Sequence, residues 1–446
     1  MSPARSTPLG WLDILRLGLV QTALGGIVVL TTSTLNRVMV VELLLPATLP
    51  GALVALHYAV QLARPGFGHG SDVSGRRTPW IVGGMAVLAS GGVLAALATA
   101  LLAEHALAGL LLAVLAFLLI GGGVGSAGTA LLALLAARVE DRRRAAAATI
   151  VWMMMILGFA LTAGIVGRLL EPFSLARLVA ITSGVCLCAF LLSAVAVLGV
   201  EGPGRPRPAV ERAAQPRFRS ALAEVWADHE ARRFTIFVFL SMLAYSAQDL
   251  VLEPFAGLRF GLSPGATTRL SGIQHAGVLA GMMLVAIGGT LGGGRPATLR
   301  LWTIGGCLAS AAALASLVVA GWAGPPFPLH GAVFALGVAN GAFAIAAIGS
   351  MMALAGEGRS GGEGVRMGLW GAAQAIAFAL GGFLGTVVAD LGRLAIGSAV
   401  PAYALVFALE ALLFLLAARL AATIAAAREE IASRPSGPLP VASGGR

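Results

Sequence analysis

Apolar residues fill this chain in long unbroken runs, and polar residues are confined to the gaps between them. About 20 apolar residues are enough to cross a bilayer core as a helix. Twelve such runs can be marked: 15–41, 46–65, 79–102, 107–137, 144–170 and 175–200, then 234–257, 264–290, 296–320, 328–355, 364–391 and 398–425. The longer ones must tilt or protrude, and an even number puts both termini on one side. One polar segment, 201–233, outlasts every other gap and separates two sets of six spans. The pattern predicts an all-α polytopic membrane protein with twelve transmembrane helices in two six-helix halves. Its parts would be an amino-terminal bundle (1–200), a cytoplasmic linker (201–233), a carboxy-terminal bundle (234–427) and a disordered cytoplasmic tail (428–446).

Composition supports that reading. Of 446 residues, 58% are hydrophobic and 11% charged, far from the roughly 25% charged residues of soluble domains. The net charge of +10 does not point to nucleic acid, because the basic residues cluster in gaps on alternate sides of the spans. All 30 are arginine, and six of them (Arg37, Arg168, Arg177, Arg259, Arg269 and Arg393) fall on one side. The other 24 place both termini in the cytoplasm by the positive-inside rule. Cys186, Cys188 and Cys307 lie within apolar runs, so neither a disulfide framework nor a zinc site is expected. The amino-terminal run reads as a retained helix rather than a signal peptide.

Within the linker, Phe218, Leu222, Val225 and Trp226 fall on one helical face. That face suits either an amphipathic helix on the membrane surface or a connector packed on the bundle. The halves also echo each other. Span 1 carries "STLNRVMVVEL" and span 7 "SAQDLVLEPF"; each is followed by Pro-Gly and then by a histidine, His57 or His275. Internal repeats of this kind are common in secondary-transporter folds.

The stretch "GFGHGSDVSGRRTPW" between spans 2 and 3 has the glycine content of a phosphate loop, but no Gly-Lys-Ser/Thr follows and no strand precedes it. Two six-span halves joined by a long cytoplasmic loop resemble the plan of the major facilitator superfamily. Gly68, Asp72, Gly75, Arg76 and Arg77 match the spacing of that superfamily's gating loop, with Val73 where a basic residue is common. The equivalent gap of the second half, "GGTLGGGRPATLR", lacks the aspartate. Longer stretches are similar to the PucC/LhaA branch: "LRLGLVQTALGGIVVLTTSTLNRVMVVEL", "LPGALVALHYAVQLARPGFGHGSDVSGRRTPWI" and "MGLWGAAQAIAFALGGFLGT". The resemblance implies an assembly factor for light-harvesting antenna complexes in the inner photosynthetic membrane of a purple bacterium. Antenna polypeptides would be its partners, a pigment-synthesis enzyme a further candidate, and bacteriochlorophyll its cargo rather than a resident cofactor.

The magnesium of a chlorin takes an axial imidazole, amide oxygen or water, which makes His57, His275, Asn340 and Gln374 candidate pigment ligands; each could equally bond a neighbouring helix. Arg37 and Asp249 sit at similar positions in spans 1 and 7. They are expected to join the halves directly or through Asn36 and Gln248, the alternative being separate reach to the interface. Glu410, alone in span 12, is expected to meet a partner unless it is protonated or paired inside the bundle. Glycine runs in spans 4 and 10 suit tight packing or a groove for a flat ring, and Met153, Met154 and Met155 suit packing. No clustered nucleophile, base or metal set suggests an enzyme. The alternative function is proton-coupled transport of a small hydrophobic molecule, with Asp249 as its carboxylate.

Overall fold

The computed structural model describes residues 9–201, 226–227, 229–291, 296–356 and 363–433, and the described residues form helices without strands. Span 1 starts at Trp11 and continues through π-helical turns at Leu30–Thr34 and Val38–Glu42 as one rod. Spans 3 to 6 are Thr78–Leu102, Ala106–Arg138, Asp141–Leu169 and Leu175–Ala196. Spans 7 to 12 are His229–Phe260, Pro264–Leu291, Pro296–Ala323, Leu329–Gly356, Glu363–Ile396 and Ala399–Ser433. Among the described residues, eleven helices are long and apolar enough to cross a membrane. Span 2 makes the twelfth in two pieces. A 13-residue helix, Thr48–Val60, passes through a 3-10 turn into a ten-residue helix, Arg64–Val73.

That second piece corrects one expectation. The glycine-rich stretch after span 2 is not a loop throughout, because Gly66 to Val73 are helical and the turn is confined to the residues just beyond. Gly75 makes the turn at φ +68°, where a side chain would be strained. Most of the linker, including Phe218, Leu222 and Val225, lies outside the described residues. Span 12 stays helical to Ser433, past the expected start of the tail.

Helix pairing repeats between the halves. Spans 1·5, 3·4, 3·6, 1·6 and 2·4 pack together in the first half, and spans 7·11, 9·10, 9·12, 7·12 and 8·10 in the second. Adding six to each number of the first set gives the second, so the folded chain has the two-fold plan that the sequence only hints at. The halves meet through spans 5·8 and 2·11, again equivalent pairs, and through span 1 against spans 7 and 8. One buried apolar cluster runs from Leu9 to Val200 and includes Leu250; a second runs from Phe234 to Ala418.

The glycine runs serve close packing. A Cβ on Gly121 would run into the backbone of His57, and one on Gly337 or Gly341 into the carbonyl oxygens of Gln274 or Val278. Spans 2·4 and 8·10 therefore approach backbone to backbone.

Candidate binding cavity and its closed end

Between the halves lies a cavity of about 280 Å³, or about 1760 Å³ of unfilled space once its open mouth is included. It runs from Ser33 and Glu253 at its deep end to Leu132 and Ala148, beside the arginine-rich gap after span 4. Its walls are mainly apolar and aromatic, with Trp152, Phe159, Tyr58, Tyr245 and Phe378 contributing rings.

The opposite end is shut by polar contacts between the halves. Ser33 donates to Glu253, Thr34 and Thr268 hydroxyls lie 3.2 Å apart, and Asn36 Nδ2 donates to the Leu250 carbonyl at 2.7 Å. Arg37 donates to the Leu262 carbonyl at 2.8 Å, and Arg269 to that of Gly167 at 2.9 Å. Asp390 of span 11 accepts from the amides of Ala47 and Thr48 at 3.0 and 2.8 Å, capping the start of span 2. Among the described residues, these contacts join the halves at the end away from the arginine-rich gap.

The expected pigment ligands separate here. His57 Nε2 lies 2.9 Å from Gln61 Nε2, and Gln61 Oε1 accepts from Arg64. Because Gln61 must use its oxygen for the arginine, its amide N–H donates to His57, whose lone pair is thereby taken. Nδ1 of that ring is buried without a partner among the described residues. His275 is held the other way: Nδ1 lies 2.9 Å from the Ser271 carbonyl, an acceptor, so Nδ1 carries the proton and Nε2 the lone pair. Nε2 has no hydrogen-bond partner among the described residues, and Phe159 fixes the ring edge-on at 4.9 Å. Gln374 also lines the cavity, its Nε2 3.7 Å from Met242 Sδ. Asn340 does not; it is fully buried and accepts from Ser310 at 2.8 Å, tying span 10 to span 9.

The structure does not bring Arg37 and Asp249 together. Arg37 pairs with Glu42 at 2.6 Å and lies against Gly257, eight residues beyond Asp249, which is about 12 Å along a helix. Asp249 faces the cavity. Asn36 does reach across the halves, whereas Gln248 bonds the Tyr245 carbonyl of its own helix at 2.9 Å. Glu410 is also corrected. It is 2% exposed, buried within the chain itself rather than presented to a partner, and neither carboxyl oxygen has a hydrogen-bond partner among the described residues.

One of the residues expected to form the gating loop, Arg77, meets a group that sequence reasoning missed. Gly68 accepts from Ser71 at 2.8 Å, and Arg76 is exposed with its carbonyl accepting from Ser74 at 3.1 Å. The Asp72 side chain lies outside the described set. Glu201, at the end of the first half, accepts from the amides of Arg77 and Thr78 at 2.5 and 2.7 Å, and its carbonyl accepts from Arg138 at 2.7 Å. Partial burial pushes this carboxyl up, but the Thr78 hydroxyl, the two amides and the Arg77 charge outweigh it and hold the group below the usual carboxylate range. The signal was a lone acidic residue directly after an apolar run.

A family model described as PUCC protein matches residues 34–429. The chain belongs to the PUCC protein family. Among similar PUCC-family and other curated proteins, the bacteriochlorophyll synthase 44.5 kDa chain of Rhodobacter capsulatus is 55% identical over 420 residues, 94% of this chain and 97% of that one. Protein PucC of Rhodobacter capsulatus is 30% identical over 425 residues, covering 91% and 90% of the two chains. Among solved structures, the peptide transporter POT in complex with sulfate superposes with a TM-score of 0.69 at 14% identity, covering 95% of this chain and 97% of that one. At that identity the likeness concerns the fold alone: this PUCC-family chain is a multi-pass membrane protein with the two-half fold of the major facilitator superfamily.

Proposed function

We propose that the protein is a non-catalytic assembly factor for bacterial light-harvesting complexes, which takes bacteriochlorophyll into the central cavity and passes it to antenna polypeptides. Membership of the PUCC family and a relative named for bacteriochlorophyll synthase support the setting. The observation that carries the cargo reading is the His275 imidazole: a ring fixed by its Nδ1–H, with an unshared Nε2 lone pair, on the wall of an apolar, aromatic cavity. One imidazole does not hold a bare metal ion. It suffices for a magnesium that brings four equatorial nitrogens of its own and needs one axial ligand. Gln374 on the same wall would bond a peripheral carbonyl, while His57 would be excluded by its bond from Gln61.

The arginine distribution supports an orientation with both termini and the cavity mouth on the cytoplasmic side of the inner, photosynthetic membrane. Gly68, Asp72, Gly75, Arg76 and Arg77 would form the hinge at that face. A pigment-synthesis enzyme there would be a suitable donor.

Purification in mild detergent from a pigment-producing host tests the reading by absorption spectrum and pigment extraction. We expect near-stoichiometric bacteriochlorophyll, lost in His275→Leu and retained in His57→Leu. A colourless wild-type protein that still co-purifies with antenna polypeptides would remove the cargo and leave a scaffold.

A further inference from the structure

Span 2 places a cation on the cavity wall. Among the described residues that line the cavity, Arg64 is the one arginine, and it is exposed although helices surround it. Its Cγ lies 3.8 Å from where a Cβ on Gly125 of span 4 would stand, so the stem is laid against a glycine. The guanidinium donates to Gln61 Oε1. A guanidinium has five N–H donors, and among the described residues Arg64 has no further hydrogen bond and no ion pair. Asp249 and Glu253 line the same cavity without pairing with it. A neutral amide orients the charge but does not neutralise it, and a cation left unneutralised inside a membrane bundle marks a site for a counter-ion.

The repeat fixes its height relative to His275. Gly51 and Gly265 are close contacts at the starts of spans 2 and 8, in the equivalent pairs 2·11 and 5·8. Arg64 lies thirteen residues beyond the first and His275 ten beyond the second. The cation therefore stands about one helical turn nearer the mouth than the imidazole. Tyr58, Phe378 and Tyr245 add a continuous aromatic surface to the same cavity, with ring centroids 5.5 and 5.8 Å apart. Farther toward the mouth a Cβ on Gly128 would meet nothing within 4 Å, which leaves room for a substituent.

We propose that the cavity binds its pigment as the free acid: a magnesium tetrapyrrole with one ionised propionate, whose carboxylate pairs with Arg64 while His275 takes the metal. This rests on the cargo reading above and narrows it. The propionate hangs from one edge of the ring, so a ring ligated at His275 can turn that edge toward the mouth. The deep end, lined by Ser33 and Glu253, is a poor site for an anion. Arg64 then selects in two ways. It offers the carboxylate a charge-assisted contact from a fork held in place by Gln61. It also disfavours the ester, which carries no charge and would lay an alkyl chain against an unpaired guanidinium. Esterification by another enzyme would cancel the ion pair, so a reaction of that class is the step that loosens the pigment for delivery.

The test uses full-length protein made in a host without pigment, reconstituted in nanodiscs and titrated with zinc pheophorbide a or with its methyl ester. Zinc in the ring accepts an axial ligand as magnesium does. The shift of the long-wavelength band on ligation, absent in His275→Leu, separates cavity binding from partition into lipid. We expect the acid to bind about tenfold or more tightly than the ester. Arg64→Gln, checked for folding by gel filtration, should bring the two affinities together. Arg64→Lys should keep part of the difference, since it retains the charge and loses the fork. Equal binding of acid and ester by wild type, or an acid preference that neither substitution diminishes, would overturn the proposal and leave the cargo reading standing. Binding of neither probe would overturn both.

Discussion

The two walls of the cavity face each other with opposite character. On the first half, His57, Gln61 and Arg64 form a hydrogen-bonded chain in which Arg64 donates to Gln61 and Gln61 to His57, with a cation at one end of the line. On the second half, Asp249 on the wall and Glu410, buried outside the lining, have no hydrogen-bond partner among the described residues, one oxygen of Glu253 has none, and His275 keeps a lone pair. A satisfied polar chain adds rigidity; an unsatisfied one stores capacity to bind. The near-symmetric fold has therefore been used asymmetrically, with a fixed wall opposite a reactive one.

Breaking the fixed wall should have the largest effect. Gln61→Leu strips Arg64 of its acceptor and should lower stability by about 2 kcal/mol, since hydrogen bonds to charged groups carry roughly 1.5–3 kcal/mol. It also frees His57 Nε2. In a His275→Leu background, Gln61→Leu is expected to restore part of the lost pigment band, and its failure to do so would mean that position on the wall, not lone-pair availability, selects the ligand. The reactive wall should respond with the opposite sign. Glu410→Met removes an unsatisfied buried carboxyl and should raise the thermal midpoint in detergent by an amount corresponding to about 1–2 kcal/mol. A lowered midpoint would show that Glu410 has a stabilising partner.

Glu201 lies outside both walls and should give the smallest change. Its carboxyl is held below the ordinary range, so its contribution to stability is complete above the unfolded value of about 4.3 and fades as pH falls through the lower folded value. Glu201→Gln should cost at most about 1 kcal/mol at neutral pH, the scale of a helix-capping group at a solvated site. Melting curves against pH should converge with wild type only in acid.

The spans were legible because lipid and tight packing both demand apolar residues in runs of helical length. The halves were legible because the linker interrupts that demand. What the runs hide is rotation and axial offset. Matching "STLNRVMVVEL" to "SAQDLVLEPF" put Arg37 level with Asp249, yet in the fold Arg37 lies opposite Gly257. Glu253 looked like the repeat partner of Glu42, but it is buried on Ser33 while Glu42 is exposed. Glycine content disguised the helix at Gly66 to Val73. Three of the five positions expected to form a gating loop, Gly75, Arg76 and Arg77, lie at a turn whose acidic partner, Glu201, is more than a hundred residues away and carries no motif.

Part of the seam between spans 5 and 8 is lined by Gly164, Gly167, Gly265 and Gly272. A methyl on Gly167 would come within 2.6 Å of the Gly265 carbonyl, and one on Gly272 within 3.0 Å of the Gly164 amide. Along this stretch the backbones meet without interlocking side chains and form a plain bearing, whereas farther along the same seam Ile156 and Phe159 interlock with Val278 and His275 and hold it in place. The same smoothness leaves little tolerance, since a single added carbon on Gly167 or Gly265 would act as a wedge.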